Sequence, residues 1–430
     1  MAIVVVMKYI LIAFSLLGFQ LLSAQIPDAV YDTRIKTVQL HPYGNQLAFP
    51  TMSLNSSDRL ELHFDDMTNS VSNYSYTYQL CNADWTPVNL SQFDYIKGFS
   101  QVRLTTYRVS SVAFTRYVHY QATLPDRNCV PSKAGNYILK VFRDGDTSKV
   151  IFTKRMLVVT DLASIPAQVM QPFSGQVFRT HQKLQFRVNI GERLNVLNPQ
   201  QQVKVVILQN NRWDNAVQNI KPTFVSRNTL EYNLENDAVF AAGKEWRWID
   251  LRSFRLQSDR VASAKYSTSN TEIIVRPDAD RSQQKFNFFR DMNGMFRIEP
   301  SESINPYWQA DYATVRFSYV PPGNTVMPNR DIYLFGKLSD YNLSDTAKMQ
   351  FNVEKGVYER TLFLKQGYYD YSYVTIDRGD PKRVASFEFT EGNYWETENE
   401  YTILVYYRGL AERYDQLIGI TRVNSLTGRR

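Results

Sequence analysis

Few residues in the chain are suited to acid–base, nucleophilic or metal chemistry. The four histidines are His41, His63, His119 and His181. None has a second histidine, a cysteine or a carboxylate at a spacing typical of a metal site, and His63 and His119 fall within strand patterns, which favours satisfied strand histidines. Cys81 with His119 is the one conceivable nucleophile pair, but no sequence neighbour would lower the pKa of the Cys81 thiol.

Paired carboxylates and short catalytic motifs give no stronger signal. Asp65 and Asp66 are adjacent on a predicted strand, so their side chains point to opposite faces, and we interpret them as turn and surface residues. The sequence has no P-loop, dinucleotide fingerprint, G-x-S-x-G or H-E-x-x-H motif. We therefore expect a protein that is not an enzyme, with no catalytic residue, metal site, cofactor or small-molecule ligand.

The stretch "YTYQLCNADWTPVNLSQFDYIKGF" (76–99) has the most varied side chains in the chain. We expect Asp84 to cap the turn after a strand, Trp85 and Tyr95 to bury large surfaces, and Gly98 to allow an unusual backbone angle. The sequence does not determine which side Trp85 faces, so an exposed aromatic patch that binds a sugar or a protein remains an alternative. We interpret the stretch as packing that shapes a partner-facing domain. Its candidate partner-facing residues are Asp84, Trp85, Tyr95, Gly98 and Phe99.

The chain contains two cysteines, Cys81 and Cys129. In an exported protein they could form a disulfide within one domain, or they could be two separate buried thiols. Both alternatives remain open from the sequence.

Alternation of apolar and polar residues at a period of two predicts a mainly β protein. Examples are "RLELHF" (59–64), "LQFRVNI" (184–190) and "ATVRFSYV" (313–320), each flanked by turn-forming residues. The best helical candidate is the short segment "LAERYDQLIG" (410–419). Many short strands at close spacing are typical of antiparallel β-sandwiches, so we expect tandem immunoglobulin-like, early-set sandwich domains.

A chain of 430 residues is longer than one hydrophobic core usually serves. Proline-containing connectors place three β-rich domains at 25–162, 163–298 and 299–430. Before them, residues 1–24 have one lysine, an apolar run and small residues near Ala24, which is typical of a secretory signal peptide, with Met7 as an alternative start. The net charge of +7 is spread along the chain, so we expect no nucleic-acid partner.

The third predicted domain is rich in tyrosine. The segment 331–374 resembles early-set domains, including those that bind starch and glycogen, and its loop has Tyr341 where such binders carry a tryptophan. Tyr369 and Tyr371 lie in the following strand, so with Tyr341 they are the candidate aromatic surface. Exposed tyrosines suit either a sugar or a protein partner.

With these segments assembled, the chain resembles the plug protein family of the Bacteroidetes type IX secretion system. The resemblance lies in "CNADWTPVNLSQFDYIKGF", "YVHYQATLPD" and "AGNYILKVFRDGD" near the N-terminus, and in "LFLKQGYYDYSYV", "EGNYWETENEYTILVYYR" and "RYDQLIG" near the C-terminus. It implies a non-enzymatic periplasmic protein that reaches the outer membrane only through its partner. That partner is the β-barrel translocon, whose pore the protein would close when no cargo is passing.

A second hypothesis is an exported glycan-binding β-sandwich protein with the tyrosines of the third domain as its platform. The two hypotheses make different predictions. A plug should bind the barrel and show no affinity for an oligosaccharide, whereas a glycan binder should lose its affinity when Tyr341 is replaced by alanine.

Overall fold

The computed structural model describes residues 27–268 and 270–428. Of these, 45% lie in strands and 3% in helices, which confirms the predicted mainly β fold of antiparallel sandwiches. The single α-helix among the described residues is α1 (Pro199–Gln202), and three short 3-10 turns span Gln92–Asp94, Pro322–Asn324 and Lys337–Ser339. The predicted signal peptide lies outside the described residues. Within them, no helix combines the length and hydrophobicity needed to cross a membrane.

The N-terminal unit is a sandwich of two sheets with a small hairpin-like pair beside them. Its strands are β1 (Ala29–Val30), β2 (Ile35–Pro42), β3 (Thr51–Ser53), β4 (Leu60–Asp66), β5 (Tyr74–Cys81), β6 (Ile96–Gly98), β7 (Val102–Arg103), β8 (Thr106–Val109), β9 (Val118–Leu124), β10 (Cys129–Pro131), β11 (Gly135–Arg143) and β12 (Val150–Val159). One sheet has the order β1-β12-β11-β5-β7 with β3 parallel to β12, and the other has the order β2-β4-β9-β8. Strands β6 and β10 pair separately.

The middle unit is assembled from two distant parts of the chain. Its strands are β13 (Ala163–Ser164), β14 (Ala167–Met170), β15 (His181–Ile190), β16 (Val203–Gln209), β17 (Val217–Gln218), β18 (Phe224–Ser226), β19 (Thr229–Tyr232) and β20 (Val239–Ala241), together with β31 (Glu400–Tyr407) and β32 (Gln416–Asn424). One sheet centres on β15, and the other has the order β17-β16-β31-β32. The predicted helix at 410–419 is wrong, because this segment is a turn that leads into β32.

The inserted unit lies in the sequence between the two parts of the middle unit. Its strands are β21 (Arg247–Asp250), β22 (Val261–Tyr266), β23 (Thr271–Val275), β24 (Asp278–Ala279), β25 (Phe296–Ile298), β26 (Tyr312–Val320), β27 (Arg330–Phe335), β28 (Gln350–Asn352), β29 (Val357–Lys365) and β30 (Gly367–Asp377). They form one sheet around β30 and a second in the order β22-β23-β26-β29-β28. Strand pairing therefore does not follow the predicted boundary at 298/299, because local periodicity does not reveal which strands pair.

The alternation seen in the sequence places the cores as predicted. Leu60, Leu62 and Phe64 are fully buried between the two sheets of the N-terminal unit. The alternating residues of β15 and β26 enter the cores of the middle and inserted units in the same way. The other face of β4, with Glu61, His63 and Asp65, does not face water as alternation suggests. The inserted unit covers it.

Candidate partner-binding site

The turn after β5 is built around Asp84. Its Oδ1 atom accepts hydrogen bonds from the Thr86 backbone N–H at 3.0 Å and from the Thr86 hydroxyl at 2.6 Å. The backbone N–H of Asn82 donates to the Thr86 carbonyl at 2.8 Å, which closes the turn. Asp84 thus caps the turn, as the sequence predicts, and its own side chain remains at the exposed surface.

Trp85 faces into the molecule. Only 8% of its surface is exposed, its ring meets the Trp213 ring of the middle unit edge-on at 4.9 Å between centroids, and the Arg155 guanidinium lies 4.9 Å from its centroid. A cation over an aromatic face is attractive, and more so where water is excluded. The prediction that Trp85 is partner-facing is wrong, because the middle unit already covers the ring. Trp85 joins two units of the same chain.

The end of the same stretch has both buried and exposed parts. Tyr95 is 4% exposed and lies in the N-terminal core, so it is not partner-facing either. Gly98 has φ of 94°, and a Cβ there would lie 2.1 Å from the Asn128 carbonyl oxygen, so only glycine fits. Beyond these residues, the rings of Phe93 and Phe99 are 80% and 66% exposed. Sequence reasoning singled out Phe99 and missed Phe93.

The two cysteines are free and buried. Cys129 pairs with Gly98 across β10 and β6, whereas Cys81 ends β5 and belongs to a different apolar cluster. Burial raises the pKa of both thiols to about 12. Of the two alternatives left open by the sequence, the structure has the separate thiols, and both are protonated at neutral pH.

The predicted aromatic surface of the inserted unit is wrong for two of its three tyrosines. Tyr369 and Tyr371 are 2% and 0% exposed and lie in the core of the unit, because both faces of β30 are covered. Tyr341 is partly buried against Trp246 and Phe335. The glycan-binding hypothesis loses the platform on which it rested.

The junction between the N-terminal and inserted units centres on Asp65. Its carboxylate accepts hydrogen bonds from His119 Nδ1 at 2.7 Å, from the Tyr312 hydroxyl and from the Lys365 ammonium. Asp65 and Lys365 are each 1% exposed, so the pair is fully removed from water. Burial raises the pKa of Asp65, but the charge of Lys365 and the hydrogen bond from His119 together hold it below its usual value.

Further hydrogen bonds surround that pair. The Tyr117 hydroxyl donates to the Ala310 carbonyl at 2.6 Å, and Asp311 accepts the backbone N–H groups of Phe114 and Thr115 at 3.0 Å each. The prediction that Asp65 and Asp66 are surface residues is wrong, since they are 1% and 0% exposed. Sequence reasoning missed this junction, although the run of ionisable residues at every second position of β4 was its signal.

The junction between the N-terminal and middle units is mainly apolar. Leu157 from β12 packs with Leu404 and Leu417 of the C-terminal strands in one buried cluster. Buried hydrogen bonds lie within the same junction: the Tyr406 hydroxyl donates to Asn136 Oδ1 at 2.7 Å, and the Ala83 backbone N–H donates to Asp415 at 3.0 Å.

A cavity of about 260 Å³ lies where all three units meet. Its charged residues are already paired with one another, as Asp28 with Arg155 at 2.7 Å and Asp340 with both Lys154 and Lys337 at 2.9 Å. A ligand would have to compete with these ion pairs. We therefore regard the cavity as part of the junction.

Comparisons with known proteins agree with this architecture. Residues 35–160, almost the whole N-terminal unit, match the family model described as the type 9 secretion system plug protein 1st domain. No curated protein matches the chain. Among solved structures, a hypothetical protein from Parabacteroides merdae ATCC 43184 is similar with a TM-score of 0.88 and 30% identity, over 93% of this chain and 99% of that chain.

Proposed function

The chain belongs to the type IX secretion system plug protein family, which gives it a role in type IX secretion, and we propose that it is the periplasmic plug of the translocon. In this proposal it binds the periplasmic opening of the outer-membrane β-barrel and closes the pore when no cargo is passing. A pore wide enough for folded proteins would otherwise leak small solutes. The match of residues 35–160 to the family carries the proposal.

The way in which the units are joined supports this role. A plug must resist deformation, and the buried Asp65–Lys365 pair and the apolar cluster around Leu417 join the N-terminal unit to the other two. Protein interiors of this kind are close-packed and poorly compressible. We infer that the protein acts by occupying space and not by catalysis.

Exposed apolar side chains of the N-terminal unit supply a candidate contact surface. Those more than 60% exposed are Tyr43, Phe93, Phe99, Val112 and Phe114. Aromatic residues are favoured anchors in protein interfaces, and a stable interface buries about 1,200 Å² or more in total. We propose that Phe93 and Phe99, which follow the capped turn of Asp84 in the sequence, contact the barrel.

An affinity pull-down tests the proposal. The protein, tagged at its C-terminus, is recovered from detergent-solubilised outer membranes of the cells that make it, and co-purifying proteins are identified by mass spectrometry. We expect one very large β-barrel protein at near-stoichiometric yield. Absence of any barrel, under conditions that preserve membrane complexes, would contradict the plug proposal.

A matched pair of variants locates the contact. We expect the double variant Phe93→Ser, Phe99→Ser to recover at least tenfold less barrel, because it removes two exposed rings without touching a core. The control is Phe173→Ser, Leu197→Ser, which changes two residues of the middle unit that are 76% and 67% exposed. Equal recovery with both double variants would leave the plug proposal standing and remove Phe93 and Phe99 from the interface.

Permeability of living cells provides an independent readout of sealing. Deletion of the gene should make the outer membrane permeable to bulky solutes only in cells that retain the barrel. Unchanged permeability in those cells would show that the protein does not seal the pore.

A further inference from the structure

The face of β4 that meets the inserted unit brings together residues that are far apart in sequence. Glu61 and His63 lie two positions apart on that face, and His41 is the direct cross-strand partner of Glu61 on β2. One potential metal-binding atom from each of these three residues lies within 4.8 Å of the other two. His41 and His63 are 1% and 4% exposed.

Hydrogen bonds determine where the proton of His63 lies. Asp65 can only accept, so His119 donates Nδ1–H to it at 2.7 Å. The neutral His119 then uses Nε2 to accept the Nδ1–H of His63, at 3.1 Å. The Lys365 ammonium already balances the charge of the Asp65 carboxylate, which agrees with neutral histidine rings. His63 Nε2 therefore has a free lone pair, and no hydrogen-bond donor reaches it.

His41 has the same arrangement by a different route. Its Nδ1 lies 2.9 Å from the carbonyl oxygen of Pro42, which can only accept, so Nδ1 carries the proton and Nε2 has the lone pair. That Nε2 atom also has no partner. A third orphan is nearby, since Gln39 is the cross-strand partner of His63 and its Oε1 atom has no donor.

All three orphan atoms on this face are acceptors. A buried acceptor without a partner destabilises the folded state, because it has lost its hydrogen bonds to water. Another acceptor, such as a carbonyl or carboxylate oxygen, cannot satisfy these lone pairs. Only a hydrogen-bond donor or a cation can. The face therefore calls for a bound cation or an ordered water molecule, and the residue types decide between the two.

We propose that His41, Glu61 and His63 form a binding site for a divalent transition metal ion of the zinc type. Two imidazole nitrogens and one carboxylate are a typical ligand set for zinc, whereas calcium and magnesium prefer oxygen ligands alone. Both histidines already have their second nitrogen fixed, His41 on a backbone carbonyl and His63 through His119 on a carboxylate. This is the arrangement that usually orients metal-binding histidines.

The surroundings allow a metal ion to enter and to affect the junction. The Glu61 side chain is 19% exposed, so the site is open at one side, and Glu61 accepts the Gly44 backbone N–H at 2.8 Å, which orients its carboxylate. Tyr307 of the inserted unit stacks on His63 with 3.8 Å between ring centroids. A metal ion bound here would stabilise the face that holds two units together. This inference does not depend on the plug proposal.

Metal binding to the purified full chain tests the site. The protein is treated with a chelator, dialysed, and incubated separately with Zn²⁺ and Co²⁺, and the metal retained after gel filtration is counted by elemental analysis. We expect one ion per chain, a Zn²⁺-dependent rise in melting temperature, and visible absorption bands from bound Co²⁺. Retention of no metal above the buffer background would overturn the proposal and would assign the orphan acceptors to water.

Matched variants decide whether these residues bind the ion. Glu61→Gln keeps the shape of the side chain and its ability to accept the Gly44 N–H, and we expect its affinity for Zn²⁺ to fall at least tenfold. His41→Gln should show the same loss, and melting curves without metal check that both variants fold. The control is His181→Gln, at a histidine of the middle unit that bonds to Thr180. Equal Zn²⁺ affinity in Glu61→Gln, His41→Gln and the control would overturn the assignment.

Discussion

Where the N-terminal unit meets the inserted unit, the buried groups at the centre are charged, whereas its contact with the middle unit is mainly apolar and contains a few buried hydrogen bonds. The charged junction depends on geometry, because Asp65 must be placed within reach of Lys365, His119 and Tyr312 at once. A buried ion pair adds little net stability over an apolar contact, but leaving one charge without its partner is costly. We infer that the charged junction mainly fixes the orientation of the inserted unit, and that the apolar junction contributes more of the stabilising free energy.

Breaking the charged junction should give the largest loss of stability. We expect Lys365→Met to lower the free energy of unfolding by about 3–5 kcal/mol, because Asp65 stays buried without its cation. Chemical denaturation of the purified protein measures the change. Lys149→Met is the matched control, since Lys149 pairs with Asp146 at 3.5 Å on the exposed surface, where a change within about 0.5 kcal/mol is expected. Similar losses in both variants would refute the distinction.

Breaking the apolar junction should cost somewhat less. Leu417 is fully buried between the N-terminal and middle units, and we expect Leu417→Ala to lower the free energy of unfolding by about 2–5 kcal/mol through lost burial and a remaining cavity. Leu410→Ala, at a leucine that is 77% exposed, is the control. A loss below about 1 kcal/mol for Leu417→Ala would mean that this contact contributes little to folding.

A buried carboxyl group at the connection between the middle and inserted units should make stability depend on pH. Glu245 is 1% exposed, and burial together with the nearby Asp291 carboxylate raises its pKa to about 8. The folded state thus keeps a proton that the unfolded state releases near pH 4.5. Because the folded state binds more protons between these values, stability should fall as pH rises from about 5 to about 8.

Replacing that carboxyl group should remove part of this fall. We expect Glu245→Gln to match the parent protein at pH 5, where both side chains are neutral, and to melt at a higher temperature at pH 8. Thermal melting at the two pH values measures the difference, with the exposed Glu354→Gln as control. A Glu245→Gln variant with the same pH dependence as the parent protein would show that the residue is ionised in the folded state.

Much of the fold could be predicted from the sequence, because each core depends on alternation within single strands. The residues of β4 illustrate the limit. Leu60 and Leu62 enter the core as expected, but nothing local indicates that Asp65 on the other face would be buried by residues 300 positions later. The predictions that Trp85 faces a partner and that Tyr371 lies on an aromatic surface are wrong for the same reason, since exposure of an aromatic ring depends on which distant element covers it. The metal ligands His41 and Glu61 came together only through strand register.

The insertion of one unit into another also affects how the protein can be made. Ile207 pairs with Ile403, 196 residues later, so a central strand of the middle sheet lacks this neighbour until β31 has been synthesised. Pairings at such separation raise the contact order and slow folding. Until β31 is available, the edge of β16 that pairs with it is open, and open strand edges favour aggregation. Strands β31 and β32 are therefore required to complete the middle unit, and a chain that stops before residue 400 cannot form its second sheet.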